Sequence, residues 1–210
     1  MDVCLTLNET RIIGCLLEKE TTTPDQYPLT LNSLVSASNQ KSNREPVLSL
    51  SAQEVLETLG RLVKERLVSE EAGARVSKYR HRFCNTEFSN LQFTDQQRAV
   101  ICVLFLRGAQ TPGEIRSRTN RMAQFSSVKE VEEVLGDMVK QEWVVQLPRE
   151  AGKRESRYAH LFSGDIDLAC VPDPESRADD KVRIKELEHQ VMVLQAEIER
   201  LNGELDRRTE

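Results

Sequence analysis

Residues 5–162 of this 210-residue chain carry one short pattern twice, and that duplication restricts the fold more than any other feature. Residues 5–24 lie without gaps on 93–112 at an offset of 88, with Leu5/Phe93, Ile12/Val100, Ile13/Ile101, Leu16/Leu104 and Thr23/Thr111 in register. EVLETLGRLVKERLV from Glu54 then matches EVEEVLGDMVKQEWV from Glu130 at 76, and AGARVSKYRHRF from Ala72 matches AGKRESRYAHLF from Ala151 at 79. The changing offset gives the first copy 12 extra residues before its third helix and the second copy three extra in its last hairpin. Positions kept in both copies are expected to be structural, and a repeat of about 80 residues is one small module with a modest core.

Each copy opens with a helix-start signature, Thr6-x-x-Glu9 and Thr94-x-x-Gln97, in which hydroxyl and carboxylate or amide satisfy orphan backbone donors. Thr111, Pro112 and Glu114 open a second helix in copy two, and residues 30–38 are its counterpart in copy one. Third helices follow from Ser51-x-x-Glu54 and Ser127-x-x-Glu130. There Val55, Leu59, Leu62, Val63 and Leu67 form an apolar stripe mirrored by Val131, Leu135, Met138, Val139 and Trp143. Gly60 and Gly136 interrupt both helices despite a cost of about 1 kcal/mol, which predicts close approach of another helix. Strand, polar turn and strand close each copy.

Three helices and a hairpin are the order of a winged helix. The predicted fold is mainly α with small β-hairpins: winged-helix domains at 1–90 and 91–162, an acidic linker at 163–180, and a C-terminal coiled-coil helix at 181–210.

The segments IIGCLLEKETTTPDQYPLTLNSLVSASNQKSNREPV, TPGEIRSRTNRM and SRYAHLF closely resemble the YceH-like family of uncharacterised bacterial proteins, TPDQYP and NQKSNREPV being the most specific stretches. The resemblance covers roughly residues 5–162 and implies tandem winged helices. It supplies no reaction, substrate or catalytic residue to carry over.

Composition narrows the class. Charged residues at 30% and aromatics at 5% fit a soluble, helix-rich chain, and the longest apolar stretch, 100–106, is too short to span a bilayer. With no secretory signal at the start, the expected compartment is the cytoplasm. Five cysteines at 4, 15, 84, 102 and 170 without a Cys-x-x-Cys pair point to reduced thiols and no metal site, with Cys15 and Cys102 read as packing residues. The formal charge of −5 resides mainly in 163–180, since residues 1–162 carry a net +1. Neither a phosphate-binding glycine loop, a Gly-x-Ser-x-Gly elbow nor a His-Glu-x-x-His run is present, so a non-enzymatic protein without cofactor is expected.

Four groups of residues are candidates for binding. Strand alternation in the first hairpin puts Tyr79, His81 and Phe83 inward and Lys78, Arg80 and Arg82 outward. Together with Arg75 these outward cations suit a phosphate backbone, or else form a solvated basic edge that discourages strand addition. Copy two keeps Tyr158, His160 and Phe162 but has Ala159 and Leu161 on the outward side, which suggests a protein contact. The loop at 39–44, with Lys41, Asn43 and Arg44, either grips an anion or covers the core as a hydrogen-bonded loop closed by Pro46. Arg116, Arg118 and Arg121 form a second, differently placed basic cluster. Against simple major-groove reading, the third helices carry Glu57, Glu132, Glu133 and Asp137, with Arg61, Lys64, Lys129 and Lys140 as counter-charges.

In the tail, Ile184, Leu187, Val191, Leu194, Ile198 and Leu201 recur at heptad spacing, followed by Leu205. β-Branched residues at a and leucine at d favour a parallel two-stranded coil and hence a homodimer; the alternative is a single helix folded back on the modules. The expected partners are double-stranded DNA or a protein, with no membrane. Function is expected to be DNA-associated or regulatory, the alternative being a protein–protein adaptor.

Overall fold

The computed structural model describes residues 4–71, 76–150 and 152–164, and position 190. Copy one contains α1 (Leu7–Thr22), a 3₁₀ turn (Pro24–Gln26), β1 (Leu29–Thr30), α2 (Leu31–Ser38), α3 (Ala52–Lys64), β2 (Val68–Glu71) and β3 (Lys78–His81). Copy two contains α4 (Asp95–Arg107), α5 (Pro112–Thr119), α6 (Val128–Lys140), β4 (Val144–Gln146) and β5 (Tyr158–His160). Thus the described chain is mainly helical, with small antiparallel hairpins. The heptad positions Ile184, Leu187, Val191, Leu194, Ile198 and Leu201, most of the acidic linker, and Arg75 lie outside the described residues.

Local signals set the helix starts. Thr6, Ser51, Thr94 and Thr111 each accept a backbone N–H three residues on, and Glu9, Glu54, Gln97 and Glu114 bond back. Such caps contribute about 1 kcal/mol apiece. Copy two's third helix departs from this pattern. Ser127 accepts from the Glu130 N–H, but the Glu130 carboxylate reaches past it to the Ser126 N–H and hydroxyl, at 2.6 and 2.7 Å.

The hairpins repeat in register. Val68 pairs with His81 and Glu70 with Tyr79; in copy two Val144 pairs with His160 and Gln146 with Tyr158. On its other side Tyr79 pairs with Leu29, the residue before the N-cap of α2, while Tyr158 bridges Gln110, the residue before the N-cap of α5. The two tyrosines therefore occupy equivalent places. This correspondence also revises the Thr23/Thr111 register: Thr23 ends α1, whereas Thr111 caps α5 and matches Thr30. Of the 12 extra residues in copy one, seven precede α2 and five follow it.

Both copies share one core, and residues 4–149 and 153–164 form one compact unit. Its centre is α1 against α4, which carry unbroken buried runs at 9–17 and 99–106. Gly14 permits this approach: a Cβ there would lie 2.8 Å from Leu106 Cδ2 and 3.1 Å from Phe105 Cβ. Gly60 and Gly136, expected to mark a close helix approach, do not, since an added Cβ meets nothing within 4 Å at either. The close crossing falls on the first helices instead.

Equivalent residues meet across this crossing. The thiol of Cys102, the counterpart of Gly14, donates to the Gly14 carbonyl at 3.4 Å. Phe83 stacks edge-on against its counterpart Phe162, with centroids 5.1 Å apart. Leu5 N–H donates to the Phe162 carbonyl at 2.7 Å, and its counterpart Phe93 packs on Phe83 at 6.2 Å. Self-contact of equivalent positions is the mark of packing about a two-fold axis, so the duplicated chain resembles a fused dimer.

Candidate functional site

The loop after α2 is built to be held rather than to hold. Asn39 accepts the Leu50 N–H and donates to the Leu50 carbonyl, both at 2.7 Å. Arg44 corrects the expectation of an anion-gripping side chain: it is buried and satisfied inside the protein. Its guanidinium meets both carboxylate oxygens of Glu18, at 2.7 and 3.2 Å, and its Nε donates to the Ala37 carbonyl at 3.0 Å. Burial alone would raise the Glu18 pKa; the hydrogen bonds and charge of Arg44 outweigh it and hold the carboxyl below its ordinary value. Arg11, fully buried, pins the same loop through the Ser38 and Pro46 carbonyls. Lys41 and Asn43 remain exposed, and Asn43 Oδ1 accepts from Arg107.

On the first hairpin the alternation holds: Tyr79, His81 and Phe83 are buried, and Lys78 and Arg80 exposed. Arg80 is nevertheless engaged, 3.0 Å from Glu71 and 5.5 Å from the Tyr27 ring centroid. Arg82 lies 4.3 Å over the exposed ring of Phe88. Behind the strand, His81 meets Glu20 at 2.8 Å, and Arg98 of α4 meets the same carboxylate at 3.2 Å.

Copy two's hairpin is less regular. Ala159, expected to face outward, is buried opposite Val145, because a methyl group is too short to clear its cross-strand neighbour; Leu161 is half-buried. On the third helices Glu57, Glu132, Glu133 and Asp137 are exposed. Two of the counter-charges are already paired, Arg61 with Glu9 at 3.1 Å and Lys140 with Asp137 at 2.8 Å. Val139, placed by its spacing on the apolar stripe, is exposed, as is Leu56 on α3.

The second basic cluster gathers where the copies meet. Arg116 ties the loop after α5 by donating to the Phe125 and Ser126 carbonyls at 3.4 and 3.0 Å. Arg118 pairs with Glu114 at 3.4 Å, while its Nη1 is buried without a partner among the described residues. Arg121 is exposed. Arg118 and Arg121 join Arg107, Asn43, Asn120, Ser117, Thr22 and Glu18 around a cleft of about 150 Å³ between α1, α4 and α5. Burial, and then the neighbouring charges of Arg118 and Arg44, lower the pKa of Arg107 from its ordinary value. Arg107 escaped the sequence reading because a cation in the last turn of an apolar helix is sufficiently explained by the helix dipole.

Among the described residues no three His, Cys, Asp or Glu side chains converge as a metal site, and no helix is long and apolar enough to cross a membrane. Cys15, Cys84 and Cys102 are buried, and burial raises their thiol pKa values, that of Cys84 to about 12. Thiols held protonated in this way are packing groups rather than nucleophiles.

These features define a mainly helical protein with a duplicated helix–hairpin unit and arginine-bearing polar surfaces. The chain belongs to the family described as "Protein of unknown function, DUF480", whose model matches residues 5–153. It is 55% identical to a UPF0502 protein of Vibrio parahaemolyticus over 98% of both chains. It is also 55% identical to one of Psychromonas ingrahamii, over 95% of this chain and 96% of that one, and 52% identical to one of Saccharophagus degradans, over 96% and 98%.

Proposed function

We propose that this is a non-enzymatic, DNA-associated regulatory protein of the cytoplasm, built of two winged-helix units fused in one chain. The observation that carries the reading is the meeting of Gly14 with Cys102 and of Phe83 with Phe162. Units packed about a two-fold present two hairpins and two third helices to one ligand, as paired winged-helix modules do on a duplex. Lys41, Asn43, Lys78 and Arg82 supply backbone contacts, and Arg80 can join them by exchanging Glu71 for a phosphate. The acidic third helices support a backbone-dominated rather than a base-reading mode. The heptad seam beyond residue 181 would bring two such chains together.

Fluorescence anisotropy with mixed-sequence duplex across a salt series tests this. Affinity should fall with rising salt, and reversing Lys78 and Arg82 to Glu should weaken binding and flatten the log–log slope by about two. Absence of affinity at low salt, or indifference to both reversals, removes the reading. A protein–protein adaptor is the second reading, favoured by Leu56 on α3, which exposes 49% of its surface beside Glu57.

A further inference from the structure

We infer that the cleft between α1, α4 and α5 is a binding site for one small free oxyanion of phosphate size. Three guanidinium groups, those of Arg107, Arg118 and Arg121, line it. Of the nearby carboxylates, the charge of Glu45 acts on Arg107, and the other two are committed elsewhere. Glu18 gives both oxygens to Arg44 behind the wall, and Glu114 accepts the Thr111 N–H at 2.9 Å while pairing with one side of Arg118. Four arginines, counting Arg44, thus face three carboxylates, Glu18, Glu114 and Glu45, which leaves the group net positive.

The charges of Arg107 and Arg118 also act against each other. An oxyanion in the cleft relieves that repulsion, with Asn120, Ser117 and Thr22 available as neutral partners. Size restricts the ligand. A space of about 150 Å³ is well below the few hundred Å³ typical of sites for drug-sized molecules, and it suits one phosphate or sulfate group. Of the residues proposed to touch DNA, only Asn43 lies on this cleft, so the inference stands apart from that reading.

The test uses the full chain. Thermal unfolding and titration calorimetry are run with inorganic phosphate, with chloride at matched ionic strength, and with short duplex DNA. Phosphate should raise the unfolding midpoint above its value in chloride. Arg107→Gln and Arg121→Gln should each weaken phosphate binding tenfold or more, while Lys153→Gln, at an exposed lysine off the cleft, should leave it unchanged. Arg121 is exposed, so R121Q carries the test should R107Q disturb the Asn43 contact. Equal midpoints in the two salts, phosphate binding undiminished in both arginine variants, or a response to duplex with none to phosphate would each overturn the assignment.

Discussion

His81 and His160 share a backbone register, each opposite the valine that opens the partner strand, yet their side chains meet different chemistry. His81 bonds a carboxylate. His160 stands edge-on to Phe105 at 4.8 Å, and its Nδ1 is buried without a partner among the described residues. Burial lowers its pKa to about 4. An unfolded imidazole titrates near 6.5, so as pH falls from about 6.5 towards 4 the unfolded chain takes up the proton first. Stability is lost across that window, by at most about 3 kcal/mol, and nothing is lost above it. His160→Phe keeps the aromatic contact and removes the proton site. In urea unfolding at pH 7.5, 6, 5 and 4.5, the variant should gain on the parent progressively as pH falls. A difference that stays constant across the series contradicts the assignment.

At the scale of elements, the helical glycines separate two roles that the sequence could not distinguish. Gly14 sits where α1 meets α4, and a larger side chain must displace Leu106 and Phe105; Gly14→Val should cost about 1–3 kcal/mol. Gly60 and Gly136 face open space within helices, so Gly60→Ala and Gly136→Ala should each stabilise by about 0.5–1 kcal/mol. Denaturant midpoints of the three variants check the opposite signs. Helix starts were legible because a cap is local: Thr6, Ser51, Thr94 and Thr111 reach backbone three residues away. The stripe Val55, Leu59 and Leu62 was legible for the same reason, as was the burial of Tyr79 and His81 by alternation. Arg44 was not, because its acceptor Glu18 lies 26 residues earlier and only the packing of α2's loop on α1 brings them together. The cleft was not legible either: Arg107 and Arg118 belong to different helices, and Asn43 reaches them from the other copy.

For the whole molecule, duplication followed by fusion has a thermodynamic consequence. α1 and α4 are buried on every face over residues 9–17 and 99–106, and helices of this kind need cover on every side. Each copy supplies part of the cover for the other. The Phe83, Phe93, Phe105 and Phe162 cluster draws two rings from hairpin ends and two from copy two's first-helix region, so it exists only when both copies are folded. The described unit should therefore unfold in one step rather than copy by copy. Trp143, the chain's single tryptophan, packs on Phe93 with centroids 4.6 Å apart and reports on copy two, while far-UV circular dichroism reports on all the helices. The two signals should give coincident urea transitions. A fragment of residues 1–90 should lack a stable monomeric fold, because its α1 face opposite Cys102 and Leu106 would be left in water. Non-coincident transitions, or a 1–90 fragment that unfolds cooperatively as a monomer at the parent's midpoint, would mean that the two-fold contact is incidental to stability.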